Sequence, residues 1–421
     1  MSSRIKSQLV LIILISFLVG YYFGVNKVKL DWKNYKPSLT VTNKEPSLYL
    51  SSNSVDFSLF WTVWQKLENN YYDKSKLDAK KMLNGAIGGM VQSVGDPYTL
   101  YLPPSQNNDF KQGLAGQFSG IGAELGLRDK QIIVIAPITG SPAQKSGIEA
   151  GDAIVKVDGE ITIGWTLPQA VEKIRGEKGT QVTLTIMHKN SEKEQVIKIT
   201  RDIITVKSVD GWVKKAKDIK GVSGLDLQEI EVGYIRLSQF GDSTNKDWFS
   251  LVNALNLQLK NKNVRGLILD LRNNPGGYLT DAVFISSEFL KKRTPVVIED
   301  NGRQEKMTLS VSRRGLLTDI PLIVLINKGS ASASEIVSGA LRDNKRAILL
   351  GENSFGKGTI QQADDLGNGA GLHITIAKWL TPNSTWVNGV GLKPDISVLA
   401  TDPKDPSHDL QLEKAVKELI K

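Results

Sequence analysis

The sequence predicts a multi-domain α/β protein: a layered α/β core on a mostly parallel sheet, with a small β-rich domain inserted ahead of it. The core is predicted because apolar strands alternate with amphipathic helices after about residue 202. The inserted domain is predicted because short strands, one brief helix and one longer helix lie between glycine turns in residues 105–202. A length of 421 residues leaves room for two or three domains.

The composition excludes several classes of function. The chain has no cysteine, so disulfides, a thiol nucleophile and cysteine-ligated metals are ruled out. Its three histidines, His188, His373 and His408, form neither an HExxH motif nor a close pair. We therefore expect no metal site, and we expect no cofactor because the chemistry of the candidate residues considered below requires none. The net charge is +9, but the lysines are scattered along the chain and form no basic cluster, so we expect no nucleic-acid partner.

The first 30 residues are predicted to be an N-terminal transmembrane signal anchor. The stretch from Leu9 to Val25 carries no charge and, at about 17 residues, reaches the short limit of a membrane-spanning helix. Arg4 and Lys6 precede it, and no small-residue cleavage site follows cleanly. The alternative is a buried core helix. We expect a single-pass protein of the cell membrane whose catalytic or binding body is extracytoplasmic.

The remaining chain divides by composition and periodicity. Residues 31–55 are rich in Pro, Ser, Asn and Lys and predict a tether. Helices are expected to start near Asp56 and near Ala79, and the triplet from Asp96 to Tyr98 predicts a turn. Asp242 is expected to cap a core helix. The predicted domains are 56–104 (helical), 105–202 (β-rich), 203–402 (core) and 403–421 (C-terminal helix).

Ser332 is the first candidate for chemistry. It follows the apolar strand Leu322–Ile326 and a glycine turn, and it lies at the start of a predicted helix. Backbone N–H groups and the positive end of the helix dipole meet there, which suits the stabilisation of an oxyanion. The same serine forms a capping box with Glu335, and this alternative stays open.

Lys357, which lies between two glycines, is the candidate base, because the sequence contexts of the three histidines do not favour a Ser-His-Asp triad. A lysine acts as a base only if burial depresses its pKa from about 10.4. Two alternatives stay open. The lysine could be solvated in a loop. The segment Gly351–Lys357 also matches the first seven places of a phosphate loop, although Gly358 stands where a Ser or Thr is needed.

Four motifs together resemble the carboxy-terminal processing peptidases, also called tail-specific proteases. They are GSASASEIVSGALRD, GENSFGKGTIQ, DLRNNPGG and GVGLKPD, and they occur in the family's order. The segment from Gly140 to Glu160 resembles the PDZ domain of these enzymes. The resemblance covers about residues 56–400. It implies a serine peptidase core with an inserted PDZ domain.

The resemblance implies a role for each matching residue. Ser332 is the nucleophile, Lys357 its general base and Gln361 the group that orients the lysine. Ala333 and one glycine of the Gly276–Gly277 pair supply the oxyanion hole. Asp343 matches an acidic residue that supports activity by holding the structure, and Glu335 is expected to keep its capping role.

The PDZ resemblance implies recognition of C-terminal tails. Such domains bind an extended tail as an added strand and hold its carboxylate on backbone N–H groups. The matching loop is Gly120, Ile121, Gly122 and Ala123. Arg175 matches a residue that senses the bound peptide.

The resulting prediction is a serine endopeptidase with a Ser–Lys dyad that cleaves extracytoplasmic proteins near their C-termini. Its partners would be proteins with free C-terminal tails and, through the anchor, a membrane. A homo-oligomer or an adaptor lipoprotein stays open. The competing hypotheses are a non-catalytic ligand-binding protein on the same fold and a nucleotide-binding protein.

Overall fold

The computed structural model describes residues 57–421 apart from scattered positions, together with short stretches before residue 57. The positions left out after residue 57 are 129, 139, 150, 189, 190, 192, 206, 224–226, 228, 304, 403 and 404. The described positions before it are 8, 12–18, 20, 21, 28–33 and 36–41. The chain forms two compact units, residues 1–79 and residues 80–421.

The predicted anchor is described only in part. Residues 12–18, 20 and 21 are helical with exposed side chains, while residues 9–11, 19 and 22–25 lie outside the described residues. Of the helices that the structure describes, none is long and apolar enough to cross a bilayer. The membrane anchor therefore stays a prediction.

Residues 28–41 contain an antiparallel hairpin, in which β1 (Val28–Lys33) pairs with β2 (Lys36–Val41). Residues 31–33 and 36–41, which lie within the predicted tether, are thus strand, and their role as a tether stays a prediction. Apolar residues alternate with other residues along both strands, which is the period of β structure. The alternating residues are Val28, Leu30, Trp32, Leu39 and Val41. Residues 42–55 lie outside the described part of the chain.

Helices and one short strand occupy residues 58–114. They are α1 (Ser58–Asn70), a 3₁₀ turn (Lys74–Lys76), α2 (Ala79–Gln92), β3 (Leu100–Leu102) and α3 (Pro104–Leu114). The first two helices lie where their apolar periodicity predicts them. The predicted turn at residues 96–98 joins α2 to β3.

The β-rich domain is an antiparallel sheet with two helices. Its elements are β4 (Gln117–Gly120), β5 (Ala123–Arg128), β6 (Gln131–Pro137), α4 (Pro142–Lys145), β7 (Ala153–Val157), β8 (Glu160–Ile161), α5 (Leu167–Ile174), β9 (Gln181–Met187), β10 (Glu194–Thr200) and β11 (Asp202–Thr205). The sheet runs in the order β10-β9-β7-β6-β5, so β5 forms one edge. Strands β4 and β11, the first and the last strand of the domain in chain order, pair with each other as a separate antiparallel ribbon.

The core is built on a six-stranded sheet with the order β12-β13-β14-β17-β18-β21. Strands β12 and β13 are antiparallel, and every other neighbouring pair in this sheet is parallel. Its strands are β12 (Val209–Lys215), β13 (Glu231–Leu237), β14 (Val264–Asp270), β17 (Leu322–Ile326), β18 (Ile348–Gly351) and β21 (Ile396–Ser397). The associated helices are α6 (Thr244–Leu259), α7 (Leu279–Phe289), α8 (Ala333–Asp343) and α9 (Leu410–Leu419), with a 3₁₀ turn at Ala216–Asp218.

Helices cover both faces of this sheet, which explains why its central strands are apolar throughout. In β17, Val324 and Ile326 belong to the apolar cluster formed with α6, α7 and α8. The alternate residues Ile323 and Leu325 belong to the cluster on the opposite face, together with Val416 of α9. A strand buried on both sides cannot alternate apolar with polar residues.

A second, antiparallel sheet has the order β16-β15-β20-β19, and β3 also pairs with β20. Its strands are β15 (Pro295–Asp300), β16 (Met307–Ser310), β19 (Thr359–Asp365) and β20 (Gly371–Leu380), and a short pair, β22 (Thr401–Asp402) and β23 (Asp405–Asp409), precedes α9. Because β19 begins at Thr359, this sheet fixes the direction of the chain directly after Lys357.

The cap predicted for α6 is wrong. The helix starts at Thr244 after Ser243, and Asp242 Oδ1 accepts a hydrogen bond from the Tyr278 hydroxyl at 2.9 Å. Thr244 Oγ1 accepts the N–H of Gly241 at 2.8 Å. This tight turn delays the start of the helix, so Asp242 is too early in the chain to cap it.

Candidate active site

Ser332 lies at the carboxyl edge of the parallel sheet, where β17 ends and α8 begins. Its φ is 52° and its ψ is −115°, a conformation that costs a residue with a side chain of the order of 1–3 kcal/mol. The residues around it hold this strained turn in place. The Ser330 hydroxyl donates to Leu271 O at 2.8 Å, and the Ser334 hydroxyl donates to Asn274 O at 2.8 Å. Ser332 itself is only half-buried, whereas its neighbours are buried.

The Gly276–Gly277 turn packs directly against Ser332. A Cβ on Gly276 would lie 2.8 Å from the Ser332 Cβ and 3.0 Å from Ala333 N, so a side chain cannot be accommodated there. The N–H of Gly276 donates to Asn274 Oδ1 at 2.9 Å. Within the described residues, no acceptor is present for the N–H of Gly277 or of Ala333. Of the two glycines, Gly277 therefore has the free donor that an oxyanion hole needs.

Lys357 lies in a loop after β18, and tight packing positions its backbone. Gly356 has a φ of 91°, and a Cβ there would come within 2.8 Å of Gly391 N. Lys357 O accepts a hydrogen bond from the Trp379 indole at 2.9 Å. Since the strand β19 follows, and not the helix that a phosphate loop requires, the phosphate-loop alternative is wrong.

The environment of the Lys357 side chain makes its amine easier to deprotonate than that of a free lysine. Burial lowers the pKa of Lys357, and the negative charge of Asp96 opposes this shift only in part. The Lys357 Nζ also lies 5.0 Å from the centroid of the Tyr98 ring. A lysine with a lowered pKa has the property that a general base needs.

Glu335 connects the two candidate residues. Its side chain is fully buried, and its Oε2 accepts the N–H of Ser332 and the N–H of Lys357, each at 2.9 Å. Its Oε1 accepts the Ser354 hydroxyl at 2.6 Å and the Gly356 N–H at 2.7 Å. The expected capping contact is thus present, but a capping role alone is too narrow for this residue. One carboxylate fixes the backbone of both residues.

Two predicted supporting residues are held by other partners. The Gln361 amide donates to Thr359 Oγ1 at 2.8 Å and to Thr375 Oγ1 at 3.1 Å, and within the described residues it makes no hydrogen bond to Lys357. Its orienting role therefore stays a prediction. Asp343, at the end of α8, accepts the N–H of Asn383 at 3.0 Å. This contact fits the expected structural role.

The three histidines each have another partner. His188 Nδ1 lies 2.8 Å from Asp152 Oδ1, and His408 Nε2 lies 2.7 Å from Glu413 Oε2. His373 packs its ring edge-on against Phe110, and burial together with the charge of Lys357 lowers its pKa. In the described part of the chain, no three acidic or histidine residues are grouped as metal ligands.

The Gly120–Ala123 loop leads into β5, the edge strand of the β-rich sheet, and its first three residues are buried. The carbonyls of Ile121 and Gly122 accept hydrogen bonds from Ala143 N (2.8 Å) and Ile138 N (2.9 Å), which fixes the loop. Among the described residues, the N–H groups of Ile121 and Gly122 have no acceptor. The edge strand β5 follows at once. Free N–H groups beside a free strand edge are what an added C-terminal strand requires.

Arg175 lies beside this loop, at the end of α5. Its guanidinium carbon is 5.1 Å from the centroid of the Phe118 ring, and its Cγ would be 3.8 Å from a Cβ on Gly120. The residue lines a cavity of about 1070 Å³ that also borders the core at Gln239. Arg175 thus lies between the Gly120–Ala123 loop and the core.

Two residues near Lys357 were missed from the sequence. Asp96 and Tyr98 belong to a segment interpreted only as a turn, and both act on the lysine side chain. The Asp-Pro-Tyr triplet was the only signal in this segment. It predicts a turn, but it carries no information about a contact with Lys357, which lies far away in the sequence.

Fold and site together define a class of protein. The site contains a serine on a strained turn before a helix, a lysine with a lowered pKa and two backbone N–H groups without an acceptor. This set of groups is typical of a serine peptidase, here on an α/β core. A PDZ-type domain precedes that core.

Comparison with known proteins identifies the family. Residues 231–398 match the model of peptidase family S41, residues 109–187 match the PDZ domain, and residues 18–105 match the activating protease CtpB N-terminal domain. The chain belongs to the carboxy-terminal processing proteases of family S41 and is a serine-type peptidase. The hypothesis of a nucleotide-binding protein is thereby discarded.

Individual relatives support this assignment over most of the chain. The carboxy-terminal processing protease CtpB of Bacillus subtilis is 34% identical over 387 residues, which cover 91% of this chain and 75% of the relative. The carboxy-terminal-processing protease of Bartonella bacilliformis is 35% identical over 384 residues, with coverages of 91% and 82%. The solved structure of the photosystem II D1 C-terminal processing protease superimposes with a TM-score of 0.50 at 30% identity, and covers 83% of this chain and 95% of that one.

Proposed function

We propose that this peptidase cleaves protein chains near their C-termini with Ser332 as nucleophile and Lys357 as general base. The observation that carries the proposal is the shared carboxylate: Glu335 Oε2 accepts the backbone N–H of both residues at 2.9 Å. The lowered pKa of Lys357 supports the assignment of the base, because a buried amine is more readily neutral.

The reaction follows from these assignments. Neutral Lys357 Nζ accepts the proton of the Ser332 hydroxyl while Oγ attacks the carbonyl carbon of the scissile bond. The tetrahedral oxyanion is stabilised by the N–H groups of Gly277 and Ala333. The Lys357 ammonium then gives its proton to the leaving amine, and an acyl-enzyme remains on Ser332. A water molecule, deprotonated by Lys357, hydrolyses this ester and restores the free serine.

Selection of substrates is assigned to the PDZ domain. The tail adds as a strand to the free edge of β5, and its carboxylate binds the N–H groups of the Gly120–Ala123 loop. The position of Arg175 supports a coupling between tail binding and the peptidase core. Arg175 lies beside the Gly120–Ala123 loop and lines a cavity that also borders the core. The partners are therefore proteins with free, unstructured C-terminal tails.

The predicted location is also part of the proposal. An N-terminal anchor within residues 1–30 would hold the peptidase at the cell membrane, with its substrates in the extracytoplasmic space. The uncharged stretch from Leu9 to Val25 supports this placement.

The test is cleavage of an unstructured protein tail by the full chain, with product ends identified by mass spectrometry. Ser332→Ala and Lys357→Arg are both expected to lose turnover, the second because a guanidinium cannot be deprotonated in this pH range. Lys345→Arg, at an exposed lysine outside the site, is the control for the substitution itself and should retain activity. Turnover by folded Ser332→Ala at the natural rate would remove Ser332 as nucleophile.

A further inference from the structure

The turn from Asp96 to Thr99 is rigidly attached to the core. Asp96 Oδ1 accepts the N–H of Tyr98 at 3.1 Å, and Asp96 Oδ2 accepts the Thr99 hydroxyl at 2.6 Å. Thr99 Oγ1 accepts in turn the N–H of Thr375 at 3.1 Å, next to the pairing of β3 with β20. The turn therefore holds a fixed place relative to the strand that faces Lys357.

Two side chains of this turn act on Lys357. The Lys357 Nζ lies 5.0 Å from the centroid of the Tyr98 ring, within the range of a cation–π contact. Asp96 is the acidic residue whose charge acts on the lysine. A turn that only connected two elements would need neither a half-buried carboxylate nor an aromatic face at this position.

We propose that Asp96 is the counter-charge of Lys357 and that Tyr98 is the surface on which the lysine side chain lies, so that this turn positions the base and sets its working pH. The proposal rests on the function proposed for Lys357. It makes Asp96 and Tyr98 positioning residues, which act on the reaction through the lysine.

The electrostatics of the neighbourhood support a lasting negative charge on Asp96. Burial alone would raise the pKa of Asp96, but the hydroxyls of Thr375 and Thr99, the N–H of Tyr98 and the charge of Lys357 together lower it. The Thr375 hydroxyl also accepts the Gln361 amide at 3.1 Å. Gln361 is thus connected to Lys357 through Thr375 and Asp96, which gives it an indirect route to the base.

Other titratable groups face the lysine from different elements. Glu335 of α8 binds its backbone N–H, and His373 of β20 has its own pKa lowered by burial and by the charge of Lys357. Tyr98 has a raised pKa from burial and from the charges of Glu335 and Asp96, so its phenol stays protonated. Asp96 remains the group in the turn that holds a negative charge.

The sign of the effect follows from this arrangement. A carboxylate stabilises the ammonium form of Lys357, so its removal lowers the pKa of the lysine and increases the neutral fraction at a given pH. In Asp96→Asn, the acid limb of kcat/KM should move to lower pH. The ratio of variant activity to natural activity should therefore rise as the pH falls through the limb. A purely structural role predicts a uniform loss with no shift.

The experiment measures titration and activity separately, in the full chain. Competitive labelling of amines by acetic anhydride, read by mass spectrometry over a range of pH, reports the titration of Lys357 in the Ser332→Ala background with and without Asp96→Asn. The pH profile of kcat/KM is measured in the active chain. Asp158→Asn is the matched control, because Asp158 also accepts a backbone N–H (2.8 Å) but does not act on Lys357.

The outcomes distinguish this inference from the proposed function. A shift of both titration and acid limb to lower pH in Asp96→Asn, absent in Asp158→Asn, supports it. A shift of the titration alone supports Asp96 as counter-charge and overturns Lys357 as base. An unshifted titration in a folded variant overturns the inference. Should Asp96→Asn fail to fold, Asp96→Ser, a smaller neutral residue that also accepts in turns, replaces it.

Discussion

Ser332 and Lys357 donate their backbone N–H groups to the same oxygen atom, Oε2 of Glu335, at equal distances of 2.9 Å. The two residues lie in different loops at the carboxyl edge of the sheet, and the carboxylate is their common reference point. Because Glu335 is fully buried and rigidly held in the first turn of α8, it fixes the separation of the two backbones. This arrangement makes Glu335 a positioning residue of the proposed dyad.

Glu335→Gln should impair catalysis more than substrate binding. The amide replaces one acceptor oxygen by a donor, so two of the four donors around it lose their partner. We expect kcat to fall about tenfold to a hundredfold with little change in KM, because the reacting groups move apart. The free energy of unfolding should fall by about 2 kcal/mol, the typical value for a hydrogen bond to a charged group.

Steady-state kinetics and chemical denaturation of the full chain check this prediction. Glu229→Gln, at an exposed carboxylate that pairs with Lys215, is the matched control and should change neither quantity. A Glu335→Gln protein with natural kcat would contradict the positioning role.

Gly276→Ala should inactivate the enzyme by closing the space beside Ser332. The added methyl group would lie 2.8 Å from the Ser332 Cβ, and the φ of 98° adds strain of about 1 kcal/mol. Gly302→Ala carries comparable strain, since its φ is 70°, but meets no atom within 4 Å. Both variants should therefore lose similar stability from strain, while only Gly276→Ala loses activity, as measured by turnover and thermal melting. Equal activities would show that the glycine turn does not form part of the site.

The pH dependence of kcat/KM should follow the titration of Lys357. Burial lowers the pKa of the lysine below its usual 10.5, and activity requires the neutral amine. Activity should rise with pH through the folded pKa of Lys357 and level off above it. A pH-independent rate across this range, or a limb unchanged in an active Lys357→Arg variant, would contradict the lysine-base mechanism.

The same titration should appear in stability. Since the folded pKa is lower than the unfolded pKa, the unfolded chain binds the proton more readily. As pH falls below 10.5, the natural chain should lose stability relative to Lys357→Met until the folded pKa is reached, and the difference should stay constant below it. Chemical denaturation of both chains across this pH range measures the difference between their free energies of unfolding. The contributions of the other titrating groups cancel, because both chains contain them.

The sequence predicted the parts of this molecule that depend on local patterns. The strand and turn before Ser332, the glycine pair and the glycines flanking Lys357 are each contained in a short segment, and their elements lie close to the predicted positions. The alternating strands of residues 28–41 were missed because Pro, Ser and Lys outweighed a period-two pattern of few residues.

The contacts between distant segments could not be predicted in this way. Glu335 satisfied a local capping pattern, which concealed its hydrogen bonds to Ser354, Gly356 and Lys357. The approach of Tyr98 to Lys357 depends on the pairing of β3 with β20, which brings together residues far apart in the chain. No periodicity or spacing encodes such a pairing.

Recognition of tails should depend on a free terminal carboxylate. In the full-length Ser332→Ala chain, a peptide with a C-terminal carboxylate should bind more tightly than the same peptide with an amide, because the N–H groups of Ile121 and Gly122 lose a charged acceptor. Calorimetry measures both affinities. Equal affinity for acid and amide would indicate recognition of internal segments instead.

The most direct test of the dyad is mass spectrometry of the acyl-enzyme. A peptide ester substrate is mixed with the full chain and quenched in acid, and the modified residue is located by fragmentation. We predict an acyl group on Ser332 in the natural chain, and none on Ser332 in Lys357→Arg, since the hydroxyl then lacks a base. Acylation of a different residue, or acylation of Ser332 at the natural rate in Lys357→Arg, would contradict the Ser332–Lys357 mechanism.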